Sequence, residues 1–201
     1  MSVAEALGDI PASRSIVRLN SFQAKCIWVP AHEIHLTGNG AEPTRNPTTG
    51  MLDFEGSADQ AVSGILQMPH SWAEGTSILT FVHLRFPTAA VSPNADSRWR
   101  IDVSPSDPSG SFIRSYGSTT GGTKVTIVNP NDVLAHRREQ LTGPWMTALS
   151  AYHISLGAHW SFKRFAATDV LDTDAGAIAL LGIMFVFGAD STGSLQTNLK
   201  T

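Results

Sequence analysis

The chain has 201 residues, of which 42% are hydrophobic and 15% charged, enough for one domain with its own core. Its net charge of −3, from 14 Lys and Arg against 17 Asp and Glu, has the wrong sign for a nucleic-acid binder, which carries a basic footprint. A single cysteine, Cys26, excludes an intrachain disulfide and a thiolate zinc cluster.

Residues 1–24 read as an N-terminal arm. The start lacks the basic and apolar regions of a signal peptide. Ile16, Val17, Leu19 and Phe22 alternate with Arg14, Arg18 and Asn20, a pattern suited to lying extended along another surface, so these four are the candidate partner-binding residues. Lys25 to Pro30 opens the domain as a strand with Trp28 as its anchor, and the apolar environment of Cys26 predicts an inert buried thiol. Thr37 to Gly50, with three Gly and two Pro, reads as a long loop, followed by a short strand over Met51 to Phe54.

Ala61 to Met68 reads as a half-buried strand that ends at Pro69, where a ladder donor is lost. A turn through Gly75 leads to a strand over Ile78 to Phe86 with apolar residues on both faces, which belongs inside a sheet. The two strands are expected to form a central hairpin. Arg98 to Ser104 alternates, with Trp99, Ile101 and Val103 inward, and further strands are expected over Phe112 to Tyr116 and Lys124 to Val128. Asn131 to Leu141 reads as the one short helix, capped by Asn131 or Asp132 and stopped by Gly143–Pro144. Tyr152, Ile154, Leu156, Ala158, Trp160 and Phe162 form a long inward face, and Ala177 to Phe187 is apolar throughout, hence a central strand. The apolar run Ala175 to Gly188 is too short and Gly-rich to span a bilayer, so a soluble protein made in a reducing compartment is expected. Eight or nine strands without crossover helices predict an all-β fold, an antiparallel β-sandwich or jelly roll over 25–195, with a polar tail over 196–201.

The turn Pro69-His70-Ser71-Trp72-Ala73-Glu74-Gly75, a PxSWxxG pattern after a strand and before a His-bearing strand, resembles a family of small virion proteins of tailed bacteriophages. Phe162 to Ser194 adds to the resemblance: an aromatic and basic strand end, an acidic Thr-rich loop, an apolar strand and a closing D-x-x-G-S. A weaker echo lies in Cys26 to Gly40 and Leu52 to Gln60. Where that family's second strand carries two His flanking one residue, this chain has Phe81 and His83, which removes half of any metal pair. The resemblance implies a virion structural protein, and the low charge and absence of catalytic motifs imply a structural role within the particle.

The remaining candidates point the same way. His153 and His159 are about 20 Å apart along a strand and cannot share a metal. His70 and His83 flank the expected hairpin and would need a third ligand such as Glu74. Asp169, Asp172 and Asp174 lack the EF-hand spacing and read as Asx turns in a solvated loop. No GxSxG, Walker or HExxH motif is present, and most of the five Trp are expected in the core rather than stacked on sugar. The expected function is a capsid decoration or cement protein on the outer head surface, without catalytic residues, cofactor or metal. Its expected partners are the major capsid protein and itself as a homotrimer, with no nucleic acid or membrane. A tail or fibre component that binds a host glycan is the alternative.

Overall fold

The computed structural model describes residues 23–36, 41–67, 69, 71–72, 78–86, 95–106, 125–128, 136–141 and 157–189. The strands are β1 Gln23–Pro30, β2 Thr44–Arg45, β3 Leu52–Phe54, β4 Asp59–Gln67, β5 Ile78–Arg85, β6 Asp96–Ser106, β7 Val125–Val128, β8 His136–Leu141, β9 Gly157–Phe165 and β10 Ile178–Ala189. One 3-10 turn, Ala31–Glu33, follows β1.

All pairings are antiparallel, and they build two sheets. In the six-stranded sheet β10 is the spine. One of its edges pairs first with β3 and then with β1, and the other pairs with β5, which in turn pairs with β8. The four-stranded sheet has the order β4-β9-β6-β7. The sheets pack face to face, because each strand directs alternate apolar side chains inward. Val82, Leu84, Ile183 and Phe185 from one sheet and Val62, Trp99, Ile101, Trp160 and Phe162 from the other belong to one buried cluster. Trp99 stacks on Phe162 with 5.0 Å between centroids, and Phe54 meets both rings edge-on. The all-β sandwich read from the sequence is the fold.

Close approach of two groups explains one glycine in the four-stranded sheet. Gly64 sits opposite Trp160, and a Cβ there would lie 2.4 Å from the indole Cζ2.

Several expectations need correction. The predicted hairpin does not form: β4 belongs to the four-stranded sheet and β5 to the six-stranded one, so the connection through Pro69 and Trp72 crosses between layers. The apolar bulk of Trp72 decides this, because its fully buried ring sits at a bridge to Ala189 of β10. The C-terminal half of the predicted helix, His136–Leu141, is instead strand β8, since the free edge of β5 offers a full ladder of hydrogen bonds and a core site for Leu141. Thr44–Arg45, placed in the long loop by the sequence, pairs with β3. The turn between them is built by Asn46, whose side chain accepts from the backbone N–H groups of Thr48 and Thr49, and by Gly50 at φ +71°. The arm residues Ile16, Val17, Leu19 and Phe22, residues 112–116 and 152–156, and the tail over 196–201 lie outside the described residues.

Candidate functional site

Two polar clusters stand out, and their chemistry separates them. The first is centred on Arg164, which lies on the inward phase of β9 after Ala158, Trp160 and Phe162 and is fully buried. Its Nε and Nη2 donate to the two carboxylate oxygens of Asp172 at 3.2 and 3.1 Å. Nη1 donates to the carbonyls of Phe54 and Gly176 at 3.2 and 2.8 Å, and Nη2 also donates to the carbonyl of Asp174 at 2.5 Å. All five donors of the guanidinium are therefore matched. Asp172 accepts in addition from the backbone N–H of Arg98 at 2.9 Å, and Arg98 pairs with Asp169.

The 169–176 loop is thus tied to β3, β6 and β9, and backbone bonds from Thr173 and Asp174 to Asp96 reinforce it. Gly56 completes the fit: a Cβ there would fall 2.2 Å from the Ala175 carbonyl carbon. The expected Asx turns exist, at Asp169 to Leu171 and Asp174 to Gly176. The loop is not simply solvated, however, because burying Arg164 requires a buried carboxylate beside it. With all five guanidinium donors matched inside the chain, this cluster holds the fold together.

The second cluster lies on the outer face of the six-stranded sheet. Cross-strand register puts Gly182 of β10, His83 of β5 and Arg138 of β8 in one row, and Trp28 of β1, which is opposite Met184, reaches it diagonally. Trp28 lies over Gly182, where a Cβ would come within 2.4 Å of its ring, and it meets His83 edge-on at 4.9 Å. Trp28 is 44% exposed and Cys26 is exposed, so neither the expected core anchor nor the expected buried thiol is found; both side chains point outward from β1.

His83 Nδ1 is 3.0 Å from His136 Nε2, and the rings stack with 5.1 Å between centroids. At that distance one nitrogen carries the hydrogen and the other accepts it. His83 Nε2 is buried and has no hydrogen-bond partner among the described residues. Burial, then the fields of His136 and Arg138, push the His83 pKa from its ordinary 6.5 down to about 4. Arg138 extends over the Phe81 ring at 5.2 Å. His70, expected near His83, lies outside the described residues, and His136, assigned by the sequence to a helix, is the imidazole that His83 meets.

Among the described residues no group of three or more His, Cys, Asp or Glu could hold a metal ion. Two imidazoles beside Arg138 fall short of the three protein ligands of a catalytic zinc. The cluster thus brings together an exposed indole, a phenyl ring, two imidazoles and the Arg138 guanidinium on the outer face of the sheet. Among the described residues no helix is long and apolar enough to cross a membrane.

No family model and no curated protein matches the chain. Among solved structures it is similar to a family two carbohydrate esterase from Cellvibrio japonicus, with 10% identity and a TM-score of 0.35 over 84% of this chain. The match spans about a third of that structure, 34% of its length.

Proposed function

We propose that the protein is a structural component of a phage particle, a β-sandwich that decorates the outer head surface and docks through the outer face of its six-stranded sheet. The observation that carries this reading is the Trp28–His83–His136–Arg138 cluster on the outer face of the sheet, with Trp28, His136 and Arg138 exposed. Aromatic residues and Arg are the residue types enriched at the centres of protein interfaces. The resemblance of the PxSWxxG turn and of Phe162 to Ser194 to small virion proteins supports the choice of a particle as the partner. In this reading the chain closes into a trimer at local three-fold axes of the shell, and Ile16, Val17, Leu19 and Phe22 of the arm add contacts to the major capsid protein.

A second reading, a tail or fibre component that binds a host glycan, is favoured by the exposed Trp28 ring, an aromatic face of the kind on which sugars stack. Labelling purified particles with an antibody against the chain separates the two. Decoration predicts label over the head; label confined to the tail tip would transfer the protein to the second reading, and its absence from particles would end both.

A further inference from the structure

On adjacent antiparallel strands, directly opposed side chains stand about 5 Å apart, and like charges placed there repel. The register of β5 and β8 opposes His83 to Arg138 and Arg85 to His136. All four share the outer face, because the alternate residues Val82, Leu84 and Leu141 are buried in the core. Four basic side chains thus occupy the corners of a block about 4.8 Å across the strands and about 6.7 Å along them.

Elsewhere most of the described cations are matched: Arg45 donates to the backbone carbonyls of Ala31, Ile34 and Gly50, exposed Lys25 has no carboxylate partner among the described residues, and the other five are in ion pairs. Arg98, Arg100, Arg137, Lys163 and Arg164 each face a carboxylate, from Asp169, Asp102, Glu139, Asp59 and Asp172 respectively. Among the described residues, Arg85 and Arg138 have no such partner. Glu139 cannot serve, because it alternates to the opposite side of β8 and pairs with Arg137. Charges on a border strand can serve to prevent edge-to-edge aggregation. That accounts for β8, but not for His83 and Arg85, which lie on a strand enclosed between β10 and β8.

We propose that this block is a carboxylate-binding site that grips an extended acidic segment of the partner protein. The proposal rests on the docking face assigned above and names the chemistry of what it meets. An extended chain presents side chains to one side every second residue, a repeat of about 6.7 Å, which matches the spacing of His136 to Arg138 and of His83 to Arg85. The Arg138 guanidinium carbon lies over Phe81, 5.2 Å from the ring centroid, and a guanidinium can grip a carboxylate through two parallel N–H bonds. A second copy of this chain is disfavoured as the occupant of this face, since it would bring the same two guanidinium groups, Arg85 and Arg138, to the contact.

Isothermal titration of the full chain with a hexaglutamate peptide tests the proposal, with hexaglutamine and polygalacturonate as controls and with Arg85→Gln and Arg138→Gln as variants. Circular dichroism confirms that the variants are folded. The expected result is binding of hexaglutamate but not hexaglutamine, weakened about tenfold by either substitution and weakened again when salt rises from about 0.05 to about 0.25 M. Equal affinity for the neutral peptide, affinity unchanged in both variants, or binding of polygalacturonate alone would each overturn it. The two readings fail separately. Protein found on heads that ignores hexaglutamate removes the carboxylate site only, whereas protein absent from particles that binds hexaglutamate removes the particle reading only.

Discussion

The Arg164 cluster and the His83 cluster are both built from charged or titratable groups on strands, yet they are opposites. Around Arg164 every donor meets an acceptor, and the carboxylate that neutralises it is equally buried. Around His83 a ring nitrogen has no partner among the described residues, each imidazole is opposed to a guanidinium across the ladder, and the ensemble faces outward. The first arrangement is complete within the chain. The second is not, and it lies on the face to which docking is proposed above.

The sharpest way to break the comparison is to open the closed cluster. Arg164→Met leaves the Asp172 carboxylate buried and unpaired and should destabilise the protein by about 3–5 kcal/mol, measured by urea unfolding. Adding Asp172→Leu should recover part of that loss, since an apolar pair tolerates burial where a lone charge does not. A loss below about 1 kcal/mol for Arg164→Met would show that the cluster is not structural.

Packing around the frame supplies the next largest effect. Gly64→Ala drives a methyl into the buried Trp160 ring and should cost about 1–3 kcal/mol by the same measurement.

The open cluster should show itself through pH. The folded pKa of His83, about 4, lies below its ordinary 6.5, so between those values the unfolded chain binds more protons. Stability is therefore full above about pH 6.5 and declines as pH falls towards 4. With solvent screening allowed for at this half-exposed site, the loss should be about 1 kcal/mol. His83→Gln should flatten that part of the pH profile; a slope identical to the parent would place the titration elsewhere. The smallest effect should come from Arg138→Gln, which at a pH near 4, where His83 becomes charged, relieves the opposition of like charges and raises stability by about 0.2–1 kcal/mol. Destabilisation instead would mean that Arg138 is satisfied within the chain.

Much of the frame was legible in the sequence, and the reasons are local. Ile78 to Phe86 and Ala177 to Phe187 are apolar on both faces, and they became the interior strands β5 and β10. Trp99, Ile101 and Val103 alternate and are buried as that alternation requires. Even Arg164 left a signal, since it falls on the inward phase set by Ala158, Trp160 and Phe162, where a cation demands a buried partner.

The candidate site was not legible. His83 and His136 are 53 residues apart and meet only through the β5–β8 register. That register was hidden because Asn131, Asp132 and Gly143–Pro144 are good helix punctuation around a charged run, whereas pairing with an open sheet edge overrides such local preference. Trp28 was read as core because an aromatic in an apolar strand usually is; Gly182 across the ladder supplies the shallow seat that lets it lie on the outside instead.

The central claim is that the partner is engaged through the outer face of the six-stranded sheet. Co-sedimentation of the purified chain with particles that lack it tests this directly, using Trp28→Ala with Arg138→Gln on that face and Ile65→Ser, an exposed position on the four-stranded sheet, as the control. The account predicts that the paired substitution releases the protein from particles while Ile65→Ser sediments like the parent. Retention of the paired variant together with loss of Ile65→Ser would contradict it and move the docking surface to the other sheet.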